Sequence, residues 1–177
     1  MVRATEVDES ALAGETPEVL VRRLAQTKAL AGLQGTAAHA VAELPLPVLG
    51  ADTIVVLQGV VFGKPRDQAD AVRMLLALGG HTHHVLTAVS LAMPGRGVAG
   101  PISLALSDTA VTMRAITPAE AAVYWASGEP AGKAGGYAIQ GLGAQFIAHI
   151  DGSYSGVMGL PLYETAQLLQ AHGISNL

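Results

Sequence analysis

Apolar positions along the chain switch between helical and strand-like spacing, with Pro, Gly and small polar residues marking the changes. Residues 1–15 are polar and carry the acidic pair Asp8 and Glu9, which reads as a tail or as the edge of a site completed elsewhere. Thr16-Pro17 supplies a capping residue and an N1 proline for a helix predicted from Glu18 to about Ala31, with Leu20, Leu24 and Ala31 on one face. Lys28 lies one turn beyond Leu24 at the margin of that face, and Arg23 lies at the opposite margin. Snorkelling of long aliphatic stems accounts for both. Residues 32–47 are rich in Gly, Ala and Pro and read as a loop. Val48 to Leu57 then forms a compact apolar run of strand type with Asp52 in its middle.

The rest of the chain mixes the two periods. Gln58-Gly59 reads as a tight turn, returning through a second strand at Val60 to Phe62 that ends in Gly63-Lys64-Pro65. Asp67 can cap a helix through Val72, Leu75, Leu76 and Leu78 that closes at Gly79-Gly80. Strands are predicted over His83 to Met93 and Ile102 to Met113, separated by the turn residues Pro94-Gly95-Arg96-Gly97. Thr117-Pro118-Ala119-Glu120 combines a capping box with an N1 proline and opens a helix that stops at Gly128. Segment 128–143 holds six glycines in sixteen residues and reads as a loop. A strand over Phe146 to Ile150, a loop over Gly152 to Gly159 and a terminal helix over Pro161 to His172, stopped by Gly173, complete the pattern. Strands and helices mix without strict alternation, which argues for an α/β protein with a mixed sheet in one domain spanning residues 1–177.

Composition narrows the classes. With 177 residues, half of them hydrophobic, the chain can bury a core without disulfides or metal staples. Its mean hydropathy is high at +0.40. The apolar stretches are nevertheless broken before the roughly 18 residues a membrane span requires, so a soluble protein is expected. No cysteine and no leader-like start point to an oxidising compartment, which makes the cytoplasm the default. Ten Lys and Arg against fourteen Asp and Glu, with 4% aromatic residues, exclude a general nucleic-acid binder.

Three familiar motifs fail on inspection. Gly128 to Lys133 is not a phosphate loop, because Ala134 stands where Ser or Thr must hold magnesium. Gly152-Ser153-Tyr154-Ser155-Gly156 has the outline of a nucleophile elbow with tyrosine at the nucleophile position. His81 and His83 share one strand face but lack a third metal ligand nearby. Asp52 is the residue that demands a reason. A carboxylate in an apolar strand costs several kcal/mol unless it is paired, hydrogen-bonded or holding a metal; the plain alternative is that it begins a bend or caps a neighbouring element.

The run Gly50-Ala51-Asp52-Thr53-Ile54-Val55-Val56, then Gly63-Lys64-Pro65, then Gly132-Lys133-Ala134-Gly135-Gly136-Tyr137-Ala138-Ile139-Gln140-Gly141 resembles the Maf family of nucleoside triphosphate pyrophosphatases. Thr82-His83 with Val85 and Thr87, Ser127-Gly128-Glu129-Pro130 and Gly159-Leu160-Pro161 fall in the family's order. The resemblance runs from about Asp8 to the terminal helix. It implies an elongated Maf/ITPase-like mixed sheet with flanking helices and two lobes around a cleft. It also implies hydrolysis of a nucleoside triphosphate between the α and β phosphates, with Mg2+ or Mn2+ as cofactor. Asp52 matches the family's proton acceptor, and Glu9 would join it in holding the cation. Lys28, Lys64 and Lys133 match basic positions facing the triphosphate, and Thr53 and Gln140 match positions tied to base choice. The Gly-Tyr-Ala-Ile-Gln-Gly form resembles the subgroup acting on dTTP and UTP. A homodimer is expected on the same ground. Two departures stand out: the family's Ser/Thr-x-Ser-Pro-Arg loop is not found, with Arg3 no substitute for it, and Gly156 stands where Asn is frequent. The rival expectation is a nucleotide-binding or regulatory protein without turnover, linked through the family to septum formation.

Overall fold

The computed structural model describes residues 7–37, 46–95 and 99–175. Arg3, residues 38–45 of the expected loop, and Arg96 and Gly97 of the expected turn lie outside the described residues. The helices are α1 (Pro17–Ala37), α2 (Gln68–Leu78), α3 (Pro118–Ala126), α4 (Tyr154–Val157) and α5 (Leu162–Ala171). The strands are β1 (Val48–Leu57), β2 (Val60–Phe62), β3 (Thr82–Pro94), β4 (Ala99–Met113) and β5 (Ile147–Asp151). They form one five-stranded sheet in the order β2-β1-β3-β4-β5. Gln58 and Gly59 both take positive φ, which closes the β1–β2 hairpin in the turn expected of them. That hairpin pairs antiparallel with Val55 opposite Phe62, and β5 pairs antiparallel with β4 at the other edge. Four residues separate β3 from β4, too few for a crossover, so these neighbours are antiparallel as well. No helix among the described residues is long and apolar enough to cross a membrane.

The chain divides into two compact units, whose boundaries fall within β1, β3 and β4 and between α4 and α5. The first takes Met1–Asp52, Thr87–Leu106 and Leu160–Leu177. Here α1 runs to Ala37 instead of ending near Ala31. Gly32 and Gly35 lower its intrinsic propensity by about 1 kcal/mol each. Leu33, however, is buried with Ala29 and Ala92 against Val48 and Ile102, and this packing carries the helix onward. Close approach explains Gly32: a Cβ there would sit 2.8 Å from Val48 Cγ1. Gly50 is more constrained still. A Cβ on it would overlap the backbone nitrogen of Ala29 and the carbonyl oxygen of Ala25, so the α1 backbone lies directly against β1. Leu168 and Leu169 of α5 pack with Val89, Leu91 and Leu49.

The second unit takes Thr53–Leu86 and Ser107–Gly159 and holds the larger core. Val55, Phe62, Leu75, Leu78, Val85, Val111, Met113, Tyr124 and Phe146 are buried together there. Asp67 caps α2 by accepting the Asp70 N–H at 2.8 Å, and Thr117 with Glu120 forms the expected reciprocal box on α3. Residues 152–159 are not wholly loop. Ser153 Oγ accepts the Gly156 N–H at 3.0 Å and starts the short helix α4, so the elbow-like sequence serves as a helix cap. Gly156 fits because a Cβ at that position would meet Ser107 Oγ at 2.8 Å. His83 is fully buried, shares a 2.7 Å hydrogen bond between Nε2 and the Tyr137 hydroxyl, and leaves Nδ1 without a hydrogen-bond partner among the described residues.

Gly50→Ala forces α1 away from β1 and is expected to cost about 1–3 kcal/mol, a fall in Tm of several degrees, as overpacking does. Gly63→Ala, where a Cβ meets nothing within 4 Å, should leave Tm unchanged in the same thermal scan. Burial and the nearby His84 hold the His83 pKa down at about 4, against 6.5 in an ordinary histidine. The unfolded chain therefore binds this proton more readily across that interval, so stability is complete above 6.5 and falls as pH drops toward 4. Urea unfolding should show His83 contributing about 2 kcal/mol of destabilisation at pH 5 relative to pH 8. His83→Asn should remove that part of the pH dependence; an unchanged slope would contradict it.

Candidate active site

Gly50 sets the geometry of the acidic cluster in the first unit. Because α1 touches β1 at Ala25 and Ala29, the intervening Lys28 faces the strand two residues further on, where Asp52 lies. Lys28 Nζ donates to Asp52 Oδ1 at 2.5 Å and to Glu9 Oε1 at 2.7 Å. Asp52 is buried at 8% exposure, Lys28 is largely covered at 18%, and Glu9 is the open member at 41%. Burial opposes charge on Lys28, but the two carboxylates outweigh it and hold its pKa above the ordinary lysine value. The demand that Asp52 be paired is thus met by an ammonium, and Lys28 is a cluster member instead of a snorkelling surface residue.

Residues 8–15 are folded against α1. Arg23 donates to both oxygens of Glu15, Nε at 2.7 Å and Nη2 at 2.8 Å, and Nη2 also reaches the Ser10 carbonyl at 2.9 Å. Glu15 further accepts the Leu12 N–H, and these bonds bring its pKa down to about 2. Asp8 accepts from the Ser10 N–H and hydroxyl, closing a local turn beside Glu9. The acidic pair is fastened to α1 instead of trailing as a loose tail, and Arg23 and Glu15 are the fasteners that sequence reading overlooked. A charged residue at a helix-face margin that pairs with a carboxylate eight positions earlier leaves no periodic signal.

Glu9 and Asp52 converge on one cationic point through hard oxygen donors, the ligand type that Mg2+ and Mn2+ take. No group of three or more His, Cys, Asp or Glu is placed to hold a metal among the described residues. Two protein carboxylates are what a magnesium site completed by substrate phosphates and water uses, so this donor set fits a shared cation.

The second unit carries the other expected residues. Lys64 follows Gly63, whose carbonyl accepts the Gly135 N–H at 3.0 Å, and the Lys133 carbonyl accepts the Gly136 N–H at 3.0 Å. The turns bearing Lys64 and Lys133 are thus joined by one backbone bond, and both lysines are exposed. Thr53 is half-buried, and a Cβ on Gly159 would lie 3.6 Å from its hydroxyl. Gln140 is exposed, and its side chain takes no hydrogen bond among the described residues. Segment 128–143 is not a slack loop. Glu129 accepts the N–H groups of Leu142 and Gly143 at 2.8 and 2.9 Å and the Tyr124 hydroxyl at 2.6 Å. Burial raises the Glu129 pKa, but these three bonds and the charge of Lys133 prevail and lower it. Sequence reading placed Glu129 in the family-like run Ser127-Gly128-Glu129-Pro130 but gave it no role.

With this arrangement in place, the comparisons with known proteins become informative. The family described as Maf-like protein matches residues 1–172. A dTTP/UTP pyrophosphatase of Saccharophagus degradans is 50% identical over 170 residues, 96% of this chain and 77% of the relative. Proteins of the same name from Nitrosomonas europaea and Alkalilimnicola ehrlichii are each 51% identical; the alignments cover 98% and 92% of this chain and 80% and 77% of those relatives. A family match across nearly all of the sequence, with relatives at this identity, means that the chain belongs to the Maf-like protein family.

Proposed function

We propose that this chain hydrolyses dTTP and UTP to the nucleoside monophosphate and pyrophosphate. The observation that carries the reading is the buried Asp52 carboxylate held by Lys28 beside Glu9. A buried charge so placed is expensive to maintain for stability alone and is what a positioned base requires. Asp52 orients a water molecule on the α-phosphorus and takes its proton. The new bond joins the water oxygen to that phosphorus, and the bond from phosphorus to the bridging oxygen breaks, leaving pyrophosphate. Lys28, kept protonated by its two partners, fixes the Asp52 oxygen in place.

Glu9 and Asp52 are the residues that would hold a divalent cation, whose chemistry is to offset charge on phosphate oxygens and on the departing pyrophosphate. Lys64 and Lys133 supply positive charge for the triphosphate as exposed point charges. Thr53 and Gln140 read the base; a glutamine amide offers both a donor and an acceptor, as the O4 and N3–H edge of thymine or uracil requires. The names of the relatives support this substrate class. We place the activity in a cytoplasmic homodimer on the family resemblance.

Pyrophosphate release from dTTP, UTP, CTP and dGTP with Mg2+ or Mn2+ tests the reading. Asp52→Asn should lower kcat by about 10²–10⁴-fold, the usual range for a general base. Full turnover by a folded Asp52→Asn chain would refute the assignment, and nucleotide binding without pyrophosphate release by the parent would favour the regulatory alternative. Gln140→Ala should lower the ratio of dTTP to dGTP turnover while leaving the response to metal intact; an unchanged ratio removes Gln140 from base selection.

A further inference from the structure

The second unit builds a clamp around one exposed side chain. The Gly141 N–H donates to the Ala138 carbonyl at 3.4 Å, closing a turn whose central residues are Ile139, which is buried, and Gln140, which is exposed. Each end of this turn is tied to the core. On the entering side, Tyr137 bonds to His83 Nε2 at 2.7 Å, and the Ala138 N–H donates to the Tyr124 hydroxyl oxygen at 3.0 Å. On the leaving side, the Leu142 and Gly143 N–H groups donate to the Glu129 carboxylate, which also accepts a hydrogen bond from the Tyr124 hydroxyl. Tyr124 is buried and links both sides through one oxygen.

The surrounding sequence is shaped to this clamp. A Cβ on Gly141 would overlap the Glu129 carboxyl group, and one on Gly143 would lie 2.6 Å from both the Ala138 carbonyl oxygen and the Tyr124 hydroxyl oxygen. Glycine leaves room for the Glu129 carboxylate at 141 and for the Tyr124 hydroxyl and the Ala138 carbonyl at 143. Charge-assisted bonds to two successive backbone N–H groups fix the plane of the peptide that leaves the turn. Gln140 is the exposed side chain at the centre of the turn that the clamp holds.

We propose that Glu129 is a positioning residue for Gln140 and, together with Tyr124, sets the preference for pyrimidine over purine triphosphates. This rests on the reading of Gln140 as the base-selecting residue. A hydrogen-bonding readout depends steeply on distance and angle, so loosening the turn degrades recognition of the correct base before it affects binding of the triphosphate.

The test measures kcat/KM for dTTP and dGTP in the parent, Gln140→Ala, Glu129→Gln, Glu129→Ala and the Glu129→Ala/Gln140→Ala pair, with amide hydrogen exchange at residues 138–143. Glu129→Ala should lower kcat/KM for dTTP by about tenfold or more and move the dTTP to dGTP ratio toward that of Gln140→Ala. On the Gln140→Ala background the same change should alter the ratio by less than about threefold, because the two residues act as one unit. Glu129→Gln keeps the side chain's length while surrendering acceptor capacity; it should remain folded, exchange faster at Leu142 and Gly143, and give an intermediate ratio. Equal losses for dTTP and dGTP, or independent effects in the paired variant, would overturn the proposal by making Glu129 merely structural. If Gln140→Ala shifts the ratio but Glu129→Gln speeds exchange without shifting it, positioning fails while the proposed function stands. If the parent releases no pyrophosphate from dTTP, both fall.

Discussion

The first unit depends on how closely the α1 backbone can approach β1. Gly50 permits that approach, since a side chain there would occupy the space of Ala25 and Ala29 backbone atoms. Helix periodicity then leaves no choice about which residue faces Asp52: between two contact points four residues apart, Lys28 projects toward the strand. A helix displaced by one residue would leave Asp52 buried without its ammonium, and a buried charge deprived of its partner costs about 3–5 kcal/mol. The fit of a glycine thus fixes the register of an ion pair, and the ion pair fixes where the Asp52 carboxylate lies.

That ion pair is a poor means of stabilising a fold. Desolvating Asp52 and most of Lys28 consumes much of what their attraction returns, and a well-packed apolar pair would serve the core as well. What the arrangement gains is a carboxylate in a defined position and an adjacent cation that keeps its proton. Glu9, the exposed third member, lies on a segment fastened by the Arg23–Glu15 fork, so the cluster is assembled from a strand, a helix and a pinned segment instead of one motif.

Much of the framework was legible because it rests on local chemistry. The caps at Asp67 and Thr117, the positive-φ turn at Gln58-Gly59 and the apolar run of β1 are encoded within a few residues of where they act. The length of α1 was not legible, because two glycines argue against helix and only Leu33 docking on Ala92 overrides them. Asp52 could be singled out by its apolar setting and Lys28 and Glu9 by family resemblance, but their convergence depends on a contact between distant segments. Glu129 was hidden for the same reason: its partners at Leu142 and Gly143 are thirteen and fourteen residues away across a stretch that reads as loop.

The contrast between Gln140 and the two exposed lysines has a physical basis. Coulomb attraction between an ammonium and a polyphosphate falls only as the inverse of distance, so the role proposed for Lys64 and Lys133 does not demand exact placement. Reading a base edge is different, because a hydrogen bond weakens within a few tenths of an ångström and a few tens of degrees. A side chain entrusted with that readout needs a backbone that does not move. Gln140 itself is exposed, as the role proposed for it requires, and the fold holds its backbone by burying Ile139 before it and tying down the N–H groups of Leu142 and Gly143 after it. In such a segment glycine has two separate uses: at Gly135 and Gly136 it supplies positive φ for the turn beside Lys133, and at Gly141 and Gly143 it makes room for the groups that hold the turn still. High glycine content here therefore accompanies constraint, so a stretch with the composition of a mobile loop is held still enough for the readout proposed for Gln140.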